Sequence, residues 1–220
     1  MAWNFGAQIN SLTGFDGNDT SASEEGENYS TLASQWLTDA AVEVINILPP
    51  MLLKNCSSMV TFTANSQAPG SESETLNTGK VLGVFAGNYE ARLIPNNLKH
   101  KANDSDSIEY ATSTDPVFYI EGNKINILPS GLSSSTLKYE EVQYPAVSYN
   151  GTGISVFPDE AEYLVVLRAA ITAAEYRLNF EEDVEIYIPI IQTLKMQYSE
   201  GIQALQSRTL KPVQQQGAKS

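Results

Sequence analysis

The chain has 220 residues, enough for one ordinary domain with a sizeable apolar interior. Its 13 Lys and Arg face 26 Asp and Glu, a formal charge of −13 that repels phosphate and anionic membranes and excludes a broad nucleic-acid grip. One cysteine, Cys56, and one histidine, His100, leave neither a disulfide framework nor a Cys/His zinc set, and no apolar run approaches the roughly 20 residues of a membrane span.

Met1-Ala2-Trp3-Asn4-Phe5 has no basic n-region and no apolar h-region, so no secretory signal is expected and the chain should remain in the cytoplasm as it is made. Residues 1–29 read as an N-terminal arm and acidic loop. Trp3, Phe5, Ile9, Leu12 and Phe15 must dock somewhere, whereas Asp16–Asn28 has no large apolar residue and reads as surface loop. Asp16, Asn18 and Thr20, with Glu27 at the twelfth place, partly copy a calcium loop. Ser21 stands where an EF-hand needs glycine, and no helix is expected on the N-terminal side of the loop, so a solvated acidic loop is the better reading.

Residues 30–56 read as helical. Ser30 is the expected N-cap, and Leu32, Trp36, Leu37, Ala40, Ala41, Val44, Ile45 and Leu48 keep a helical period until Pro49-Pro50 ends it. Pro50 then starts a short turn through Leu53, and Cys56 reads as a small buried residue behind it.

Residues 57–156 read as a β-rich insertion. Short β-type runs are expected over 59–63, 80–85, 90–94, 116–121, 124–128 and 135–144, separated by turn-like loops at 67–79, 96–107 and 130–135. The clearest unit is Val117–Leu128, two β-rich runs around Gly122-Asn123, a pair suited to the positive φ angles of a tight hairpin. His100 falls in a polar loop, Leu98-Lys99-His100-Lys101, with no partner residue in view, so a catalytic role for it is not expected. Paired carboxylates could be drawn almost anywhere among 26 acids, so a glycosidase-like pair carries no specificity. Five Asn-x-Ser/Thr sequons, at Asn18, Asn28, Asn55, Asn103 and Asn150, follow from the composition.

Residues 157–208 read as two amphipathic helices. Pro158 suits the first helical position, with Asp159, Glu160 and Glu162 against the positive helix end. Tyr163, Val166, Leu167, Ala170, Ile171 and Ala174 form one stripe, Leu178-Asn179-Phe180 marks a break, and Val184, Tyr187, Ile188, Ile191, Leu194, Tyr198, Ile202 and Leu205 form a second stripe. The short connection makes the pair antiparallel. Pro189 should kink the second helix or divide it in two. Residues 209–220 read as an extended tail. Residues 1–53 hold seven acids and no Lys or Arg, whereas 201–220 hold Arg208, Lys211 and Lys219 and no acid. A basic tail carrying Leu210, Pro212 and Val213 has the form of a docking segment.

The layout is a helix, a sheet region, then a helix pair, which is α+β segregation without the alternation of a parallel sheet. That order, with Asp115-Pro116-Val117-Phe118-Tyr119-Ile120, Lys124-Ile125-Asn126-Ile127-Leu128-Pro129 and Phe157-Pro158-Asp159-Glu160-Ala161-Glu162-Tyr163-Leu164-Val165-Val166, resembles the head-to-tail connector proteins of tailed bacteriophages. The likeness is nearest to their tail tubular A type of adaptor and covers most of 30–206 in element order. The motif text matches around 115–129 and 157–178.

The resemblance implies a single adaptor domain, with the N-terminal helix and C-terminal antiparallel pair as a helical bundle carrying an inserted antiparallel β region. It further implies a non-enzymatic structural virion protein of the neck or tail, assembled in the host cytoplasm as a homo-oligomeric ring, commonly a dodecamer, between portal and tail. The expected partners are the portal protein, a tail or nozzle protein and tail fibres, with DNA passing through unbound and no cofactor, metal or membrane. In the family the portal-binding element is often a C-terminal extension, which corresponds here to Leu210, Lys211, Pro212 and Val213. A neck stopper, tail terminator or fibre-attachment subunit is the alternative of the same class, and a carboxylate-dependent virion hydrolase is the alternative of another. The Asp16–Asn28 loop has no counterpart in the family pattern.

Overall fold

A computed structural model describes residues 3–14, 29–63, 73–129, 132, 136–179 and 184–209. The expected acidic loop at 16–28 and the docking segment Leu210–Val213 lie outside them. The described residues form a mixed α and β structure of six α-helices and two sheets, in keeping with the α+β class. The chain falls into two compact units. One comprises Met1–Cys56 with Tyr144–Ser220, and the other comprises Ser57–Gln143.

The helical unit holds α1 (Phe5–Thr13), α2 (Tyr29–Ile47), α3 (Pro50–Leu53), α5 (Asp159–Leu178) and α6 (Val184–Thr209). Its centre is α5, which contacts α1, α2 and α6. The sequence suggests one apolar face, but Leu164, Val165, Ala169 and Ala173 are buried together with Val166, Leu167, Ala170, Ile171 and Ala174. Buried on most of its circumference, with the line Arg168, Thr172 and Glu175 left half-buried in its second half, α5 must be covered on several sides, and its many alanines let the neighbours approach closely. Tyr163, counted in the expected stripe, is instead exposed.

The α5 and α6 contacts run in opposite directions. Glu175 Oε1 pairs with Lys195 Nζ at 2.8 Å, while Leu164, earlier in α5, lies against Gly201, later in α6. A Cβ on Gly201 would overlap the Leu164 side chain, which is itself buried. Pro158 is the N-cap of α5 and not its first helical residue. Ser30 likewise sits inside α2, where its carbonyl accepts from Ser34 Oγ at 2.6 Å.

Residues 144–151 fall outside the β region, contrary to the expected boundary at 156, and run along α2 as an extended strap. Tyr144 OH donates to Asn46 Oδ1 at 2.9 Å, Val147 N to Thr38 Oγ1 at 3.0 Å and Tyr149 N to Ser34 Oγ at 3.0 Å. The strap then receives α1. Phe5 N donates to Gly151 O at 2.9 Å, Gly6 N to Tyr149 O at 2.8 Å, and Ala7 N to the N-cap side chain of Asn4 at 2.7 Å. The first three N–H groups of α1, which have no partner within the helix, are thereby satisfied. Gly6 carries no Cβ because the Tyr149 ring occupies that space.

The strand unit contains two four-stranded sheets. One has the order β1 (Ser57–Thr63), β8 (Thr136–Val142), β3 (Val81–Ala86), β4 (Tyr89–Glu90). The other has the order β2 (Ser73–Thr75), β7 (Lys124–Leu128), β6 (Val117–Glu121), β5 (Arg92–Leu93). The expected hairpin is present with Glu121 opposite Lys124, though only Gly122 takes a positive φ, 63°. An all-antiparallel region was expected, yet β5 pairs with β6 in parallel, Arg92 opposite Val117 and Leu93 opposite Phe118. Ala91 makes this possible: buried between β4 and β5, it donates its N–H to Val84 O at 2.8 Å as the chain leaves one sheet for the other. β2 lies inside a stretch read as loop.

Val84, Ala86, Leu137 and Tyr139 of one sheet share a core with Phe118, Ile125 and Ile127 of the other. The alternate residues Val117, Tyr119 and Leu128 join Ile94, Ala102 and Ala111 in a second cluster, which brings in α4 (Lys99–Ala102). Sheet periodicity of two places neighbours on opposite faces, so β6 and β7 are covered on both. Glu141 of β8 is fully buried. Its Oε1 accepts from Thr78 N at 2.7 Å, Thr78 Oγ1 at 3.1 Å and Gly79 N at 3.2 Å, latching the 78–79 turn to the sheet.

Two substitutions test this packing by urea unfolding. Glu141→Ala strands the Thr78 and Gly79 donors and is expected to cost about 1–3 kcal/mol. Gly201→Ala gains about 1 kcal/mol of helix propensity but overpacks Leu164 by about 1–3 kcal/mol, so net destabilisation is expected. A stabilised Gly201→Ala variant would contradict the tight contact of α5 with α6.

Candidate functional site

The chain's polar chemistry is mostly committed to structure. Glu43 of α2 accepts from Arg168 Nε of α5 at 2.7 Å and from Tyr198 OH of α6 at 3.1 Å, tying three helices together. Arg168 Nη1 also donates to Thr172 Oγ1 at 3.0 Å. In the strand unit, Arg92 makes a two-pronged contact with Asp115 at 3.0 and 2.9 Å, and Lys99 pairs with Glu121 at 3.0 Å. These guanidinium and ammonium hydrogen bonds hold Asp115 and Glu121 below the usual carboxylate range. Glu162 Oε1 accepts from Ile154 N at 2.6 Å. Each of these acids has a cation or a backbone donor to serve, which lets Glu43 and Glu162 keep carboxylates at partly buried positions, while Asp115 and Glu121 pair at the surface.

The residues singled out from sequence are scattered. Cys56, the chain's one cysteine, is fully buried. His100 lies exposed in α4. Among the described residues no group of three or more His, Cys, Asp and Glu is placed to hold a metal ion, and no helix is long and apolar enough to cross a membrane.

Pro189 is the exception, because it lines a groove. It sits within α6, which continues through it as one helix of 26 residues and is not divided in two. Its missing N–H leaves the Glu185 carbonyl without the usual helical donor. Thr193 Oγ1 donates to Pro189 O at 2.9 Å one turn later. On α6, Pro189, Ile190, Thr193, Leu194 and Gln197 face Ser11 and Leu12 of α1 across a groove of about 340 Å³. Leu194 is its buried floor.

The same part of α6 exposes large apolar residues: Ile186 is 59% exposed, Ile188 42% and Met196 57%. Ile188 belongs to the stripe expected to be covered. From Ile186 to Gln197 the only charged residue is Lys195, which is paired with Glu175. These three side chains point to more than one side of α6, and they stand among the uncharged polar residues Gln192, Thr193 and Gln197, a composition that departs from the acidic balance of the whole chain. Sequence reasoning placed Pro189 but missed Ser11 and Leu12, whose approach to α6 is long-range and leaves no local signal.

An aromatic cluster lies beside the polar one. Tyr29 meets Trp36 edge-on at 6.0 Å and Tyr149 at 5.9 Å, and Trp36 meets Tyr176 at 5.2 Å. Burial, with a lesser push from Tyr149, moves Tyr29 up to about 12. Burial and then the Glu43 carboxylate push Tyr198 up further. Both folded-state values exceed the ordinary 10.0, so the associated stability is fully present below pH 10 and is lost as pH rises beyond it. Glu43→Gln removes the neighbouring anion, so the Tyr198 transition, followed by phenolate absorbance, is expected to fall toward the ordinary value. An unchanged transition would mean that Glu43 does not act on Tyr198.

No protein-family model matches the sequence, and no curated protein does.

Proposed function

We propose that this chain is a structural virion protein, a head-to-tail adaptor whose copies form a ring joining the portal to the tail. The reading rests on the resemblance in element order and on the motif text around 115–129 and 157–178. In it, α1, α2, α5 and α6 are the adaptor's helical bundle and residues 57–143 its β insertion. The observation that carries the ring is the exposure of three large apolar side chains, Ile186, Ile188 and Met196, along α6, which a neighbouring copy would cover. The net charge of −13 suits a channel along which DNA slides without being gripped. The working location is the virion neck.

Co-expression with a portal protein encoded beside it tests this reading. The chain is expected to co-sediment with the portal and to appear in electron micrographs as a ring on one end of it. Ile186→Asp with Met196→Asp should abolish the ring while leaving the helical circular dichroism unchanged. Co-sedimentation with a tail-terminator or fibre protein in place of the portal would move the chain to the neck-stopper or fibre-attachment class. Clearing of peptidoglycan, lost on an acid-to-amide change, would identify a virion hydrolase instead.

A further inference from the structure

The groove lies along the first half of α6, and Leu210–Val213 follows the last residue of that helix in sequence. Thr193, at the groove's middle, is about 24 Å along α6 from Thr209 at the α-helical rise. Fully extended, the four residues that follow Thr209 span at most about 14 Å. The Leu210–Val213 segment therefore cannot enter the groove of its own chain, whichever way it runs.

Its chemistry nevertheless fits that groove. The walls combine apolar surface from Leu12, Pro189 and Leu194 with uncharged hydrogen-bonding groups from Ser11 and Gln197. The segment offers Leu210, Pro212 and Val213 for the apolar surface, with backbone carbonyls for a hydroxyl or an amide donor. Lys211 would meet no cation in the groove, whose lining is uncharged, and the chain as a whole carries a charge of −13.

We propose that Leu210–Val213 of one copy docks in the α1–α6 groove of the next. Donor and acceptor are different surfaces of one subunit, so the contact is head-to-tail, and such contacts generate closed rings when the rotation closes. This rests on the ring reading above and gives it a specific joint. It also assigns Leu210–Val213 to a neighbouring copy and not to the portal, the partner implied by the resemblance.

Cysteine cross-linking in the full chain tests the joint, with buried Cys56 left in place and the wild type as control. Thr193→Cys and Val213→Cys chains, mixed and oxidised, are expected to give a two-chain covalent species. The double variant alone should give a ladder of higher species. A chain ending at Thr209 should self-associate at least about ten-fold more weakly.

If copies assemble but no Thr193→Cys to Val213→Cys link forms, the joint is wrong and the ring reading stands. If Val213→Cys cross-links to the portal instead, the segment is a portal contact and the joint is overturned. If neither links nor assemblies form with portal present, both the joint and the ring reading fail.

Discussion

The structure of the helical unit depends on the burial of α5. A twenty-residue helix with eleven buried residues spread over most of its circumference cannot be stable alone, and each buried Leu, Val or Ile contributes about 1.5–3 kcal/mol only while its neighbours stay in place. That constraint explains the surrounding elements. α1, α2 and α6 cover it, alanines and Gly201 set how close they come, and the Glu43–Arg168–Tyr198 cluster fixes the three longer helices laterally where burial alone would let them slide.

α1 illustrates how a short element is held. Nine residues of helix are marginal in water, yet its leading N–H groups find Asn4, Tyr149 and Gly151, and its far end closes on Gly14 in the left-handed conformation. The strap from 144 to 151 is thus more than a connector. It carries no periodic apolar pattern, but its backbone completes α1 on one side and engages the hydroxyls of Ser34 and Thr38 on the other.

What sequence made legible follows the range of the interactions. The hairpin around Gly122 and the helix from Tyr29 to Ile47 are local patterns and could be read directly. The strap could not be read, because its partners are side chains about a hundred positions away, and β2 could not, because three polar residues have no alternation to detect. The parallel β5–β6 pair depends on Ala91 crossing between sheets, a step with no composition signature. The same division applies to the candidate site. Pro189 is visible in any reading of the helix, whereas the groove it lines is completed by Ser11 and Leu12, far away in the chain.

Function is carried on what the fold leaves over. The covered side of α6 builds the core, and Ile186, Ile188 and Met196 remain as exposed apolar surface on an acidic chain. The central claim is that copies of this chain cover that surface for one another. Native mass spectrometry of the purified chain, alone and with portal, tests it most directly. The account predicts a closed assembly whose mass is a whole multiple of the 24.0 kDa subunit, alone or once portal is added. A species of 24.0 kDa alone in both samples would contradict it.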